Sequence, residues 1–234
     1  MEMLVQDLIA LALVYAIIIA SLTISLILDK KRSSVDTRKV IHIGIGNFVF
    51  VWWMFSANWI MLVFFTIPFV VLLFFAMRKD NAIAKSKIGD ISNKGHKTGL
   101  FFYAVSITIL VALFFNHWVA ASIGIVAMTY GDGFGSIIGK RYGRHKTING
   151  KSVEGSFGVF FSTAIMTTVI LLFYTFLVSN GYYPRGDVTA LVSIWTIPFI
   201  AGIFASIAEM ISPGAYDNLI IPLSVSTLMV LLGL

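Results

Sequence analysis

Long apolar runs separated by short polar stretches set the pattern of this chain. They lie at Leu4–Leu28, Arg38–Phe55, Trp59–Met77, Gly99–Phe115, Trp118–Gly139, Gly155–Val178, Val188–Ile211 and Leu219–Leu234. A helix crosses a bilayer with roughly 17–25 apolar residues, and most of these runs have that length. Their apolar positions are continuous and do not alternate, which predicts helices and excludes barrel strands. The expectation is an all-α, polytopic membrane protein of about eight transmembrane helices. The second run is short and the fifth ends in glycines, so their boundaries are the least defined. Trp52, Trp53, Trp59, Trp118, Tyr182 and Tyr183 fall near predicted ends, as an aromatic belt requires.

Composition agrees: 58% of the 234 residues are hydrophobic and 12% charged, against about a quarter charged in soluble domains. Cysteine is absent, which excludes disulfides, thiolate metal sites and cysteine nucleophiles. The net charge of +6 points, in such a chain, to anionic headgroups or substrates and not to nucleic acid. All 17 basic residues except Arg185 fall in the loops after the first, third and fifth runs. By the positive-inside rule that side is cytoplasmic and both termini are outside. Lys30, Lys31 and Arg32 follow the first apolar run instead of preceding it, so residues 1–28 read as a retained helix. With no repeat or low-complexity tract, residues 1–234 read as a single integral membrane domain. The polar loop Arg78–Lys97 reads either as a headgroup-facing connection or as a lid.

Ionisable groups in apolar runs cost on the order of 3 kcal/mol at a helix centre, so each asks for a reason. His42, Asp132, Glu154, Glu209 and Asp217 all fall toward the cytoplasmic ends of predicted helices. Asp132 has Ser136 and Lys140 one and two turns on, with Gly135, Gly139 and Gly143 beside them. The glycines alone fit a helix-packing strip, but packing has no use for the acid. Gly150-Lys151-Ser152 ends like a phosphate-binding P-loop, yet His145 stands where that loop needs glycine; Gly131, Gly133, Gly135 and Gly139 likewise miss the dinucleotide spacing. What survives is the physics of a phosphate cradle: flexible backbone at Gly131, Gly135 and Gly139, with Lys140, Arg141, Arg144, Lys146 and Lys151 as counter-charge. Arg38 and His42 share a face at the start of the second run, and Asp217-Asn218 open the last one, where an N-cap role also suits Asn218. Asp132, Glu209 and Asp217 together could hold a Mg²⁺ that keeps its waters and bridges nucleotide phosphates.

These residues resemble a known group. Arg38-Lys39-x-x-His42-x-x-x-Gly46, Gly131-Asp132-x-x-x-Ser136-x-x-x-Gly139-x-x-x-Gly143, Lys151-Ser152-x-x-Gly155, Glu209 and Asp217-Asn218-Leu219-x-Ile221-Pro222 are similar to the polyprenol kinase family. That family includes phytol kinases, dolichol kinases and CTP-dependent diacylglycerol kinases. The resemblance covers residues 38–222 and implies a catalytic core there, moving the γ-phosphate of CTP or another nucleoside triphosphate onto a lipid alcohol such as phytol, geranylgeraniol or dolichol. It begins after residues 1–28, which implies a peripheral anchor helix there. It implies Asp132, His42, Asp217 and Glu209 as catalytic residues, with the choice of base among Asp132, Asp217 and His42 open. Lys151, Ser152, Lys146, Lys140, Arg141 and Arg38 would meet the nucleotide, and Asp132, Glu209 and Asp217 the Mg²⁺. A more distant likeness to CDP-diacylglycerol synthases makes a cytidylyltransferase the alternative. The glycine-histidine-rich stretch and Asp-Arg pair of those enzymes are missing, and Asp217-Asn218 stands instead. A small membrane transporter is the alternative from another class, weakened by the absence of a repeat.

Overall fold

A computed structural model describes residues 2–31, 36–78, 82, 85, 98–182 and 188–234. Arg32, Tyr183, Arg185 and nearly all of the expected headgroup loop or lid lie outside the described residues. The described chain is helical, apart from one isolated bridge between Lys146 and Ser152, and it divides into two compact units, Met1–Phe115 and Asn116–Leu234.

The first unit holds α1 (Glu2–Lys30), α2 (Thr37–Gly46), α3 (Asn58–Met77) and α4 (Gly99–Leu113). Asp7, an acid in the first apolar run, is buried and accepts hydrogen bonds from Ser56 N (2.8 Å) and Ser56 Oγ (2.6 Å). Those bonds answer its desolvation, so it has a structural use. Asp36 caps α2 by accepting from Arg38 N at 3.2 Å. Asn47 ends it: its amide donates to the carbonyls of Ile43 and Gly44, and such local bonds compete with the helical ladder. The chain then tightens into the 3₁₀ turns Asn47–Phe50 and Trp52–Met54. Within α3, Leu62–Thr66 form a π turn.

The second unit holds α5 (Trp118–Tyr142), α6 (Val153–Ser179), α7 (Ile197–Ile211) and α8 (Asp217–Leu231). α5 is the most enclosed, because small residues let its neighbours approach its backbone. A Cβ on Gly124 would collide with Ser226 Oγ and with the carbonyl of Pro222 on α8. On Gly131 it would meet Thr163 Oγ1, and on Gly135 the Val159 side chain, both on α6. Between these contacts Ala127–Asp132 widen into a π turn, a feature frequent at functional sites.

Among the described residues, six helices are long and apolar enough to cross a membrane, where the sequence predicts about eight. Of the two remaining runs, Gly99–Leu113 is a shorter apolar helix, and Arg38–Phe55 breaks at Asn47 for the reason given above. Gly124→Ala should destabilise the protein by about 1–3 kcal/mol, since the added carbon meets backbone that cannot rotate away. Thermal unfolding in detergent checks it, and an unchanged midpoint would contradict the packing described.

Candidate functional site

The site is built on the connection between α5 and α6. α5 ends with Lys140 and Arg141 in its last turn, where cations complement the helix dipole. The chain then folds back on itself. Val153 N donates to the His145 carbonyl (2.9 Å) and Thr147 N to the Lys151 carbonyl (2.9 Å). Asn149 and Gly150 make the reversal with φ of 60° and 75°, a left-handed pair that Asn-Gly tolerates well. Glu154, in the first turn of α6, fastens the base of the loop: it accepts from the backbone N–H of Arg144 (3.1 Å) and pairs with His145 Nδ1 (2.7 Å). Asn149 Nδ2 donates to the last carbonyl of α7, Ile211 O, at 3.0 Å and fastens its tip.

Held at both ends, the loop delivers Lys151 inward. Its ammonium lies 2.9 Å from Glu209 Oε1 on α7 and 3.0 Å from Asp217 Oδ2 at the start of α8. Both carboxylates are buried. The second Glu209 oxygen accepts from Ser156 Oγ at 3.3 Å. Asp217 Oδ1 accepts from Asn218 N and Asn218 Nδ2, each at 2.9 Å. Asp132, itself buried at the end of the π turn, also acts on the Lys151 charge. Burial opposes that charge, but Asp217, Asp132 and Glu209 outweigh it and raise the Lys151 pKa well above the ordinary lysine value.

The residues expected to act together therefore divide. Lys151, Asp132, Glu209 and Asp217 converge in the second unit. His42 and Arg38 lie in the first unit, where the His42 ring packs on Tyr103 with centroids 4.3 Å apart and the Tyr103 hydroxyl donates to the His42 carbonyl. Lys140, Arg141 and Lys146 are exposed. Ser152 caps α6, accepting from Gly155 N at 3.1 Å, and Gly131, Gly135 and Gly139 line the α5–α6 contact. Three contributors escaped the sequence reading: Ser156, Tyr103 and Asn149. Asn149-Gly150 was legible as a turn dipeptide beside Lys151; Ser156 and Tyr103 carry no local signal.

The donor set bears on Mg²⁺. Carboxylate oxygens are the hard ligands that ion takes, commonly one or two of them completed by water and phosphate. Among the described residues no three His, Asp or Glu side chains form a metal site by themselves. Glu209 and Asp217, whose oxygens meet at the Lys151 ammonium, are the carboxylates placed to offer such an ion one or two ligands.

No family profile and no solved structure matches the chain. Among curated proteins it is 33% identical over 195 residues to a phytol kinase of Synechocystis sp., an alignment covering 80% of this chain and 75% of that one. The chain belongs to the polyprenol/phytol kinase family. It is also 28% identical to probable chloroplastic phytol kinases of Triticum aestivum and Zea mays, again over 80% of its length. It spans 64% and 63% of those two plant proteins.

The raised Lys151 pKa fixes the sign of a pH dependence. A folded-state value above the unfolded one gives stability that is complete below the ordinary lysine value and lost as pH rises through the folded value. The stability difference between wild type and Lys151→Met should therefore stay constant from neutral pH up to the ordinary value of 10.5 and shrink only above it. Denaturation of both proteins across that range checks this, and a difference that shrinks well below 10.5 would contradict the pairing.

Proposed function

We propose that this protein is a membrane lipid kinase that transfers the γ-phosphate of CTP, or of another nucleoside triphosphate, to the hydroxyl of an isoprenoid alcohol such as phytol, geranylgeraniol or dolichol. The observation that carries the reading is the half-buried Lys151 ammonium between the buried carboxylates of Glu209 and Asp217, beside Asp132, on a chain whose relatives bear the name phytol kinase. Phosphoryl transfer needs positioning and charge neutralisation more than covalent help from the protein. Residues 1–234 act as one membrane domain in this reading, with the core in 38–222 and α1 as an anchor. The basic loops face the cytoplasm, the nucleotide enters from that side, and the termini lie opposite.

In the reaction the alcohol oxygen forms a bond to the γ-phosphorus while the bond from that phosphorus to the β–γ bridging oxygen breaks. The products are a lipid monophosphate and the nucleoside diphosphate. The hydroxyl proton passes to Asp132 or Asp217. Lys151 turns from its carboxylates toward the phosphates, joined by Lys140, Arg141 and Lys146 from the exposed end of α5 and its loop. A bound Mg²⁺ would supply charge neutralisation of the phosphate oxygens, and Asp132, Glu209 and Asp217 are the residues that would hold it.

Nucleotide labelled at either the α- or the γ-phosphate tests the reading. Purified protein supplied with CTP and phytol should move only the γ label into lipid, and Asp132→Asn should lose at least about a hundredfold in turnover while keeping its fold. Transfer of the α label would mean cytidylyl transfer, and near-normal turnover in Asp132→Asn would remove the site assignment.

A further inference from the structure

Two carboxylates from different helices aim at one point in the second unit, and a cation from a third piece of chain stands there. Glu209 Oε1 on α7 and Asp217 Oδ2 at the start of α8 lie 2.9 and 3.0 Å from the Lys151 ammonium. Both acids are buried, at 5% and 7% exposure. Among the described residues that ammonium is the one charged partner of Glu209, whose other oxygen meets the neutral Ser156 hydroxyl at 3.3 Å. The cation is differently placed. Lys151 comes from the loop before α6, its side chain is 21% exposed, and its neighbour Gly150 lies at the surface. Lysine carries a compact charge on a flexible four-carbon stem, so the ammonium can swing outward while the carboxylates stay on their helix ends.

In the kinase reading Lys151 does turn away, toward phosphate. Glu209 would then be an ionised group out of water without its counter-charge, a strongly unfavourable state. A second cation at the same point removes that cost. Carboxylate oxygens are the ligands that a hard divalent ion such as Mg²⁺ or Mn²⁺ takes, completed by water and phosphate. Phosphate is thus wanted by both cations: it draws the lysine out and supplies the remaining ligands of the ion.

We propose that Lys151 is the resident counter-ion of a divalent-cation seat formed by Glu209 and Asp217, and that the lysine and the ion exclude one another from it. Without nucleotide the lysine closes the seat; when it turns to phosphate the seat opens. The proposal rests on the kinase reading above and adds an order of events to it, in which the protein's carboxylates take up metal only once nucleotide has engaged Lys151.

Mn²⁺ alone, added to the full-length protein in detergent with no nucleotide and counted by the EPR signal of the free ion, tests this. Lys151→Met should bind one ion at least about tenfold more tightly than wild type, and adding Glu209→Gln to that variant should abolish the gain. Thermal unfolding reads the same exchange: Mn²⁺ should raise the midpoint of Lys151→Met and leave that of wild type unmoved. Lys151→Gln, whose amide still donates to a carboxylate, should behave in the same way and carries the test where the methionine variant does not fold. Lys146→Met, which removes an exposed charge from the same loop, should bind Mn²⁺ as wild type does. Equal binding by wild type and the Lys151 variants overturns the proposal, as does an equal gain in Lys146→Met, which would be a general effect of lost positive charge. A gain that survives Glu209→Gln would be an adventitious ion only and overturns it too. Metal binding is read without turnover, so the two readings fail separately. Exchange with no phosphate transfer to any alcohol defeats the kinase reading, whereas γ-phosphate transfer by wild type with no Mn²⁺ gain in the Lys151 variants defeats the exchange alone.

Discussion

The loop and helix ends of the second unit converge on one half-buried ammonium. Lys151 between Glu209 and Asp217 ties three separate pieces of chain, the α5–α6 loop, the end of α7 and the start of α8. Taking such charges out of water is costly, and the mutual attraction repays it only when the remaining polar atoms are also satisfied. That condition explains the surrounding detail. Ser156 serves the free oxygen of Glu209, and Asn218 serves that of Asp217. Glu154 and Asn149 fasten the loop so that the lysine arrives in place. The short turn at Gly214–Tyr216 brings Asp217 back beside Glu209.

A second constraint comes from close helix packing. α5 has to pass between α6 and α8 while ending with an acid near Lys151. Glycines at 124, 131 and 135 permit the first, and the π turn at Ala127–Asp132 accompanies the second by adding a residue just before the acid. The glycines around Asp132 act through packing: they bring the α6 cap, with Ser152 and the loop before it, against α5. The helix-packing use that the sequence offered for Gly131 and Gly135 is the one their contacts with α6 show.

Apolar run length made most of the fold legible, because a bilayer-crossing helix needs a length that composition alone reveals. The second run was misread where Asn47 turns its amide onto preceding carbonyls, a local competition that hydropathy does not register. The acids were legible for a similar reason: charge in an apolar run is conspicuous, and Asp132, Glu209 and Asp217 stood out before their partners were known. Their partner was less so. Lys151 looked like one of several phosphate-facing cations in a basic loop, and only the fold separates it from the exposed Lys140, Arg141 and Lys146. Asp7 shows the converse, an acid in an apolar run whose purpose is to hold Ser56.

The central claim is that Lys151 and the carboxylates form one coupled unit on which both the loop and the chemistry depend. A double-mutant cycle between Lys151→Met and Asp217→Asn, measured by denaturation in detergent, tests it most directly. The account predicts strong coupling, with the double variant destabilised by at least about 1 kcal/mol less than the two single changes together. Simple additivity of the two changes would contradict it.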